Sequence, residues 1–373
     1  MYNFYSIYKY ENKMVFIFIM LILFSAGCKD NEKDLAKSVF TFKKENAIDL
    51  TNSDFFKNKT TIPLEVKEYK INEYSHINVN PSVKKDGDNL FVYSNNIPYA
   101  VFRFDMEGNF INKIGDIGTG PNEFTVITDL IINKKNSTIE VLSNGVIYSY
   151  LYDGAPVKYT KIDIPASSFS FVSDYYWFYV GNNNIYSEYR LFQTDLKFNI
   201  IKKYLSDKSK MLPLIENNFG QSPYNTFREN FYYNMYAIQQ DSLFLLHTIR
   251  FPDMEYPSTI HEIDPMKVVE NLKNSHYASI LCYLENANFI YLFVVEYDTN
   301  STLSFYHWVI NKNNNQEKII KTDMMINSYL MFPQLLTEDD FLYFIGYPVE
   351  NNDSNVDIDY ESNPSIVIIN CNN

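Results

Sequence analysis

From about Thr61 onward, short apolar runs alternate with clusters of Asn, Asp, Gly and Lys. The runs include NLFVYS (89–94), YAVFRF (99–104), TIEVLS (138–143), VIYSYLY (146–152), YWFYVG (176–181), SLFLLHTI (242–249), FIYLFVVEY (289–297) and TLSFYHWVI (302–310). None carries an extended helical period, and their length, aromatic content and turn-forming borders predict strands. Aligning them on their turns gives FRFDMEGNFINKIG, YSYLYDGAPVKYTKI, RLFQTDLKFNIIKKYL, IHEIDPMKVVENL and FYHWVINKNNNQEKII, with turns opening at Asp105, Asp153, Asp195, Asp264 and Asn311. Asp or Asn accepts hydrogen bonds from backbone amides two residues on, and Gly108 and Gly154 supply the positive φ that a tight hairpin needs. The turns are 48, 42, 69 and 47 residues apart. A period near 40–50 residues with four strands in each is the pattern of a β-propeller. The 69-residue gap is expected to hold an insertion over 206–230.

The chain ends on SIVIINCNN from Ser365, which has the form of half a repeat, with Asn370 at the Asp position. An open sheet edge is a liability, so a strand from elsewhere must complete that blade. IPLEVKEYKI (62–71) has the length and alternation for it. The expected fold is all-β: a six-bladed β-propeller of four-stranded antiparallel blades over 61–373, its last blade closed by the N-terminal strand.

Composition agrees, since 17% of residues are aromatic (32 Tyr, 29 Phe) and only 11 are Gly, a balance that suits pleated, half-buried surfaces. The formal net charge is −13, and the four arginines (Arg103, Arg190, Arg228, Arg250) form no run. That excludes a nucleic-acid binder that tracks phosphates with a basic face.

The first residues are read separately. MVFIFIMLILF (14–24) is unbroken apolar chain, preceded by Lys9 and Lys13 and followed by Ser25, Ala26, Gly27 and Cys28. Eleven residues are too few to span a bilayer, which takes about 20, and a short apolar core before small residues reads as a secretion signal. The small residues before Cys28 resemble a bacterial lipobox, with Ser25 where that pattern prefers Leu. The charged run KDNEKD after Cys28 resembles the export tag of surface lipoproteins of Bacteroidetes. The implied division is a signal peptide at 1–27, a lipid-bearing tether at 28–60 with the lipid on Cys28, and the propeller after it. The expected partner is a membrane reached through that anchor, at the outer membrane.

FDMEGNFINKIGDIGTGPNEF resembles a motif of six-bladed β-propeller lipoproteins of Bacteroidetes, in which a strand–DxxG–strand hairpin leads into a G-x-G-P-x-E-[FY] loop. Here the loop residues are Gly118, Gly120, Pro121, Glu123 and Phe124. The resemblance implies fold and location. The loop lacks the Gly-Lys-Ser/Thr of a phosphate loop and the βαβ setting of a dinucleotide loop, so it reads as a crossover between blades capped by Glu123.

Chemistry-bearing residues are sparse. The five histidines show no HExxH or His-x-His spacing, no GxSxG elbow is present, and no cofactor is expected. His247, Arg250 and His307 are the candidate ligand-binding set, because propeller sites gather such residues around the central channel. The cluster Glu350, Asp353, Asp357, Asp359 and Glu361 lacks EF-hand spacing and reads as a solvated loop. Tyr175, Tyr176, Trp177 and Trp308 are candidates for a sugar or peptide platform, with packing between blades as the competing reading. Cys282 and Cys371 could pair. The leading expectation is a non-enzymatic envelope binding or scaffolding protein that engages a glycan, a peptide or an envelope protein through its top-face loops. The alternative is a lyase or hydrolase with a metal-assisted site in the channel.

Overall fold

The computed structural model describes residues 38–373 except 66–81, 94–99, 182–185, 207–217, 221–224, 264–266, 269–271, 273–274, 300–301, 323–324, 327–328, 353–354, 359–362 and 373. Cys28, the apolar run before it and Asp264 lie outside these residues. The described chain forms six blade sheets in sequence order, those of a six-bladed propeller, and one two-stranded parallel pair, Asp116–Ile117 with Glu123–Phe124. Blade 1 comprises Ser82–Asp86, Asn89–Tyr93, Val101–Phe104 and Phe110–Ile114. Blade 2 comprises Asp129–Asn133, Thr138–Ser143, Val146–Leu151 and Pro156–Lys161. Blade 3 comprises Ser168–Val172, Tyr175–Tyr179, Leu191–Thr194 and Ile200–Tyr204. Blade 5 comprises Tyr277–Glu285, Phe289–Tyr297, Leu303–Asn311 and Gln316–Thr322.

Blade 6 is closed from the N-terminal side. Thr60–Pro63 pairs antiparallel with Ser365–Ile368, outside Tyr329–Leu336 and Phe341–Asn352. The last blade is closed by an N-terminal strand as expected, but of the expected 62–71 only Ile62 and Pro63 pair; the strand begins at Thr60, and 66–71 lie outside the described residues.

Both faces of a blade are covered by neighbours, so its central strands are apolar on both sides. In blade 5, Tyr291, Phe293 and Val295 pack with Phe344 and Val367 of blade 6, while Ile290, Leu292 and Val294 pack with Met235 and Ile249 of blade 4. This explains the unbroken run FIYLFVVEY, where a one-sided sheet would alternate. It also settles the aromatic candidates: Trp177 and Trp308 are fully buried, Tyr176 is buried and Tyr175 is half-buried, so they are core rather than a platform.

The turn chemistry is as the sequence predicts at the five expected turns that lie within the described residues. The Asp105 carboxylate accepts from the amides of Glu107 (3.0 Å) and Asn109 (2.8 Å). Asp153, Asp195, Asn311 and Asn370 accept from Ala155, Lys197, Asn313 and Asn372 in the same way. Gly108 (φ +87°) also seats the turn on the closing strand, because a Cβ there would lie 2.3 Å from the Pro63 carbonyl oxygen. In the crossover that follows, Glu123 folds back to accept from the Gly120 amide at 2.9 Å. A Cβ on Gly118 would occupy the place of that carboxylate, so the glycines make room for a cap.

Blade 4 departs from the expected repeat. Asp264 lies outside the described residues, and just before it Ser258–Glu262 is a 3-10 turn where the expected repeat has a strand. The equivalent turn is at 240–241, where Asp241 accepts from Lys202 (2.6 Å), and its carbonyl from the Tyr204 hydroxyl (3.0 Å), both on the outer strand of blade 3. Residues 218–220 pair with Thr226–Arg228 through Gly220 N to Thr226 O (2.8 Å) and Arg228 N to Asn218 O (3.0 Å). Asn234–Gln239 and Ser242–Arg250 follow.

Outside Ser242–Arg250 lies Ser38–Thr41, added in parallel. Outside Gln316–Thr322 lies Ala47–Asp49, also in parallel. The stretch 38–60, expected to be tether, is therefore a belt that binds the outer edges of blades 4 and 5 before it closes blade 6. Two aromatic anchors hold it. Phe42 is buried against Phe251, Tyr306 and Trp308 at centroid distances of 5.5, 5.2 and 5.4 Å. Phe56 is buried against His307 (5.0 Å) and Phe344 (5.7 Å).

The seam between blades 3 and 4 contains a buried ion pair. Arg190 Nε and Nη2 donate to the two oxygens of Glu229 at 2.6 and 2.9 Å, and the guanidinium lies 5.3 Å from the Tyr232 ring centroid. Cys282 and Cys371 are not joined to each other, so the considered disulfide does not form. Burial pushes the Cys371 thiol up to about 12.

Candidate functional site

Innermost strands around a ring diverge too far to complete a ladder, so their free backbone groups need side-chain partners. Several junctions show this. Gln334 of blade 6 accepts from Val83 N of blade 1 at 3.0 Å. Arg228 of blade 4 donates to Ile280 O and Leu281 O of blade 5 at 3.0 and 2.8 Å. Asp129 of blade 2 accepts from Phe169 N of blade 3 at 2.9 Å and from Leu130 N at 2.8 Å.

Inside this ring is a cavity of about 800 Å³ with walls from the innermost strands and first turns of blades 1, 2, 3, 4 and 6. Its volume lies within the range of small-ligand sites. The floor carries Lys84 and Asp129, nine-tenths buried, and the walls include Phe169, Phe171 and Phe219. At the mouth, Lys134 pairs with Asp86 at 3.6 Å and Lys135 with Asp174, while Glu338 and Asp339 line the blade 6 side. The mouth is formed by turns between first and second strands. The loops between second and third strands at 94–99 and 182–185 lie outside the described residues.

The two buried charges are in different states of engagement. Both Asp129 oxygens accept backbone amides, so the carboxylate clips two strands together. Burial raises its pKa, opposed by the Lys84 charge and by those amides. Burial lowers the Lys84 pKa, with Asp129 pulling the other way. Among the described residues, Lys84 Nζ has no hydrogen-bond partner and no carboxylate within ion-pair range. Chemically, the cavity offers a desolvated ammonium, a fixed carboxylate and aromatic walls.

The residues expected to form a site are not brought together. His247 and His307 lie at the two seams of blade 5. His247 faces blade 5 from blade 4, with Nε2 3.3 Å from Glu285 Oε1 and its ring against Phe40. His307 faces blade 6, with Nδ1 2.6 Å from the Tyr291 hydroxyl and its ring stacked on Phe293. Arg250 is half-exposed on the outer part of blade 4, 3.4 Å from Glu255. None of the three lines the cavity. In the acidic stretch, Glu350 and Asp357 occupy opposite positions of a hairpin, and Asp353, Asp359 and Glu361 lie outside the described residues. Among the described residues, no three His, Cys, Asp or Glu side chains are grouped to hold a metal.

Lys84 and Asp129 were not singled out by sequence reasoning. The available signal was a charge inside a short apolar strand, SVKKD and DLIIN. It has meaning only once those strands are known to be innermost.

No curated protein matches the chain. Among solved structures, a protein of Bacteroides fragilis NCTC 9343 described as exported superposes with a TM-score of 0.66 at 14% identity, over 89% of this chain and 99% of its own. A member of the DUF4221 family from Bacteroides vulgatus ATCC 8482 gives 0.51 at 13% identity, over 84% and 95%. At these identities the likeness is one of fold. The family described as "Domain of unknown function (DUF4934)" matches residues 37–370, and the chain belongs to that family.

Proposed function

We propose that the protein is a cell-envelope lipoprotein whose propeller binds an envelope glycan or peptide at the channel cavity and leaves it chemically unchanged. The observation that carries this reading is the cavity itself: about 800 Å³, walled by five blades, with aromatic sides and a buried ammonium. The amide-clamped Asp129 favours binding over turnover, because a carboxylate whose two oxygens each hold a backbone amide is poorly placed to shuttle protons. Envelope placement rests on the apolar run before Cys28, and the fold likeness to an exported Bacteroides protein supports it.

The test uses the immobilised protein and a polysaccharide fraction from Bacteroidetes envelopes, following both retention and chain length. Retention without shortening is expected. It should be lost in Ser170→Trp, which places a large ring on the cavity wall. Shortening of the polymer would instead support the lyase or hydrolase alternative. Retention unchanged by Ser170→Trp would place binding elsewhere. For the anchor, a labelled palmitate analogue should mark the wild type and leave Cys28→Ala unmarked; equal labelling would refute lipidation.

A further inference from the structure

A buried charge normally has a partner, because desolvating an unpaired ammonium is costly. Lys84 departs from this. It is nine-tenths buried on an innermost strand, lines the cavity and has no hydrogen-bond partner for Nζ among the described residues. Its neighbour Lys85 is different, donating to the Gly87 carbonyl at 2.8 Å. The nearby rim lysines, Lys134 and Lys135, are also engaged, with Asp86 and Asp174. The charge of Asp129 acts on Lys84 from a distance, while the Asp129 oxygens are committed to Leu130 and Phe169. Lys84 is thus the cation of the cavity that is still open to a ligand.

We propose that the cavity holds a glycan bearing a single carboxylate, with that carboxylate on the Lys84 ammonium. This rests on the binding reading above and names the ligand chemistry. A carboxylate would complete the donor set of Lys84 in a desolvated setting, where charge-assisted hydrogen bonds are strongest. A single charge is specified because Asp129, Glu338 and Asp339 also line the cavity and repel further anions. A sugar is specified because the half-buried Phe171 ring lines the wall and gives sugar C–H groups an apolar surface to pack against, beside a polar rim that suits hydroxyls. The volume accommodates a disaccharide.

The test is calorimetric titration of the full protein with the disaccharide of glucuronic acid and N-acetylglucosamine, against the methyl ester of the same disaccharide. The acid is expected to bind about 10- to 100-fold more tightly than the ester, the range of a hydrogen bond to a charged group. Lys84→Met keeps the stem and removes the charge, and should reduce binding of the acid to the level of the ester without changing the ester. Equal binding of acid and ester, or an unchanged Lys84→Met, overturns the proposal. So does preferential binding of a tripeptide through its terminal carboxylate, which would put the ligand in another class. If the acid fails to bind while the envelope polysaccharide is still retained in a Ser170→Trp-sensitive way, the carboxylate assignment falls and the binding reading stands. If both fail, both fall.

Discussion

Phe42→Ala and Phe56→Ala are each expected to lower the unfolding free energy by about 3–5 kcal/mol, the usual cost of truncating a fully packed phenylalanine. The two rings sit on opposite sides of blade 5, Phe42 in the seam with blade 4 and Phe56 in the seam with blade 6. Their losses should therefore add. A combined loss of about 6–10 kcal/mol is comparable with the whole stability of a typical protein, so the double variant should be largely unfolded at 37 °C. Val39→Ala is the control, because Val39 belongs to the same belt but is 58% exposed. It should change stability by less than about 0.5 kcal/mol. Urea unfolding followed by tryptophan fluorescence suits the measurement, since Trp177 and Trp308 are fully buried. Single-variant losses below about 1 kcal/mol would mean that the belt is an accessory laid on a ring that is already stable.

The belt also shows where sequence reading stops. Hairpin turns were legible because an Asp or Asn side chain bonds amides two to four residues on, a local event with a local signature. The closing strand was legible because an unpaired terminal strand demands a partner with matching alternation. Blade 4 failed on both counts. Its turn at 240–241 has no Asp-x-x-Gly form, and its outermost strand, Ser38–Thr41, lies some 200 residues away in the chain. The added strands of the belt are three or four residues long, too short for alternation to show, and Phe42, Phe55 and Phe56 follow no period. The same limit hid the cavity, because its floor is defined by which strand of each blade is innermost. His247 and His307 were candidates because propeller sites gather such residues around the central channel; both instead lie in the seams between blades.

His307 should make the protein acid-sensitive from about pH 6.5 downward. Burial among Phe56, Phe293 and Phe344 pushes its pKa down to about 3, from an unfolded value near 6.5. The folded state therefore holds His307 neutral while the unfolded chain takes up a proton below about pH 6.5. The stability is fully present above that pH and is lost as pH falls toward 3. The loss from this one group is about 2 kcal/mol at pH 5 and on the order of 4–5 kcal/mol near pH 3. Other buried groups act elsewhere or in the opposite sense. Glu285 and Glu296 are held below the usual carboxylate range by their partners despite burial, so they lose stability only as pH falls below about 4.5. Asp129 and Glu140 are raised by burial, and their protonation favours the folded state as pH falls. The difference between wild type and His307→Gln isolates the histidine, because glutamine stays neutral throughout. The variant should start less stable, having lost ring packing against Phe56 and Phe293. Its stability should nevertheless fall less than that of the wild type between pH 7 and pH 5, by about 2 kcal/mol. Parallel curves for the two proteins over that interval would show that His307 can be protonated in the folded seam. The belt anchor Phe56 would then be resting on a charge that water reaches.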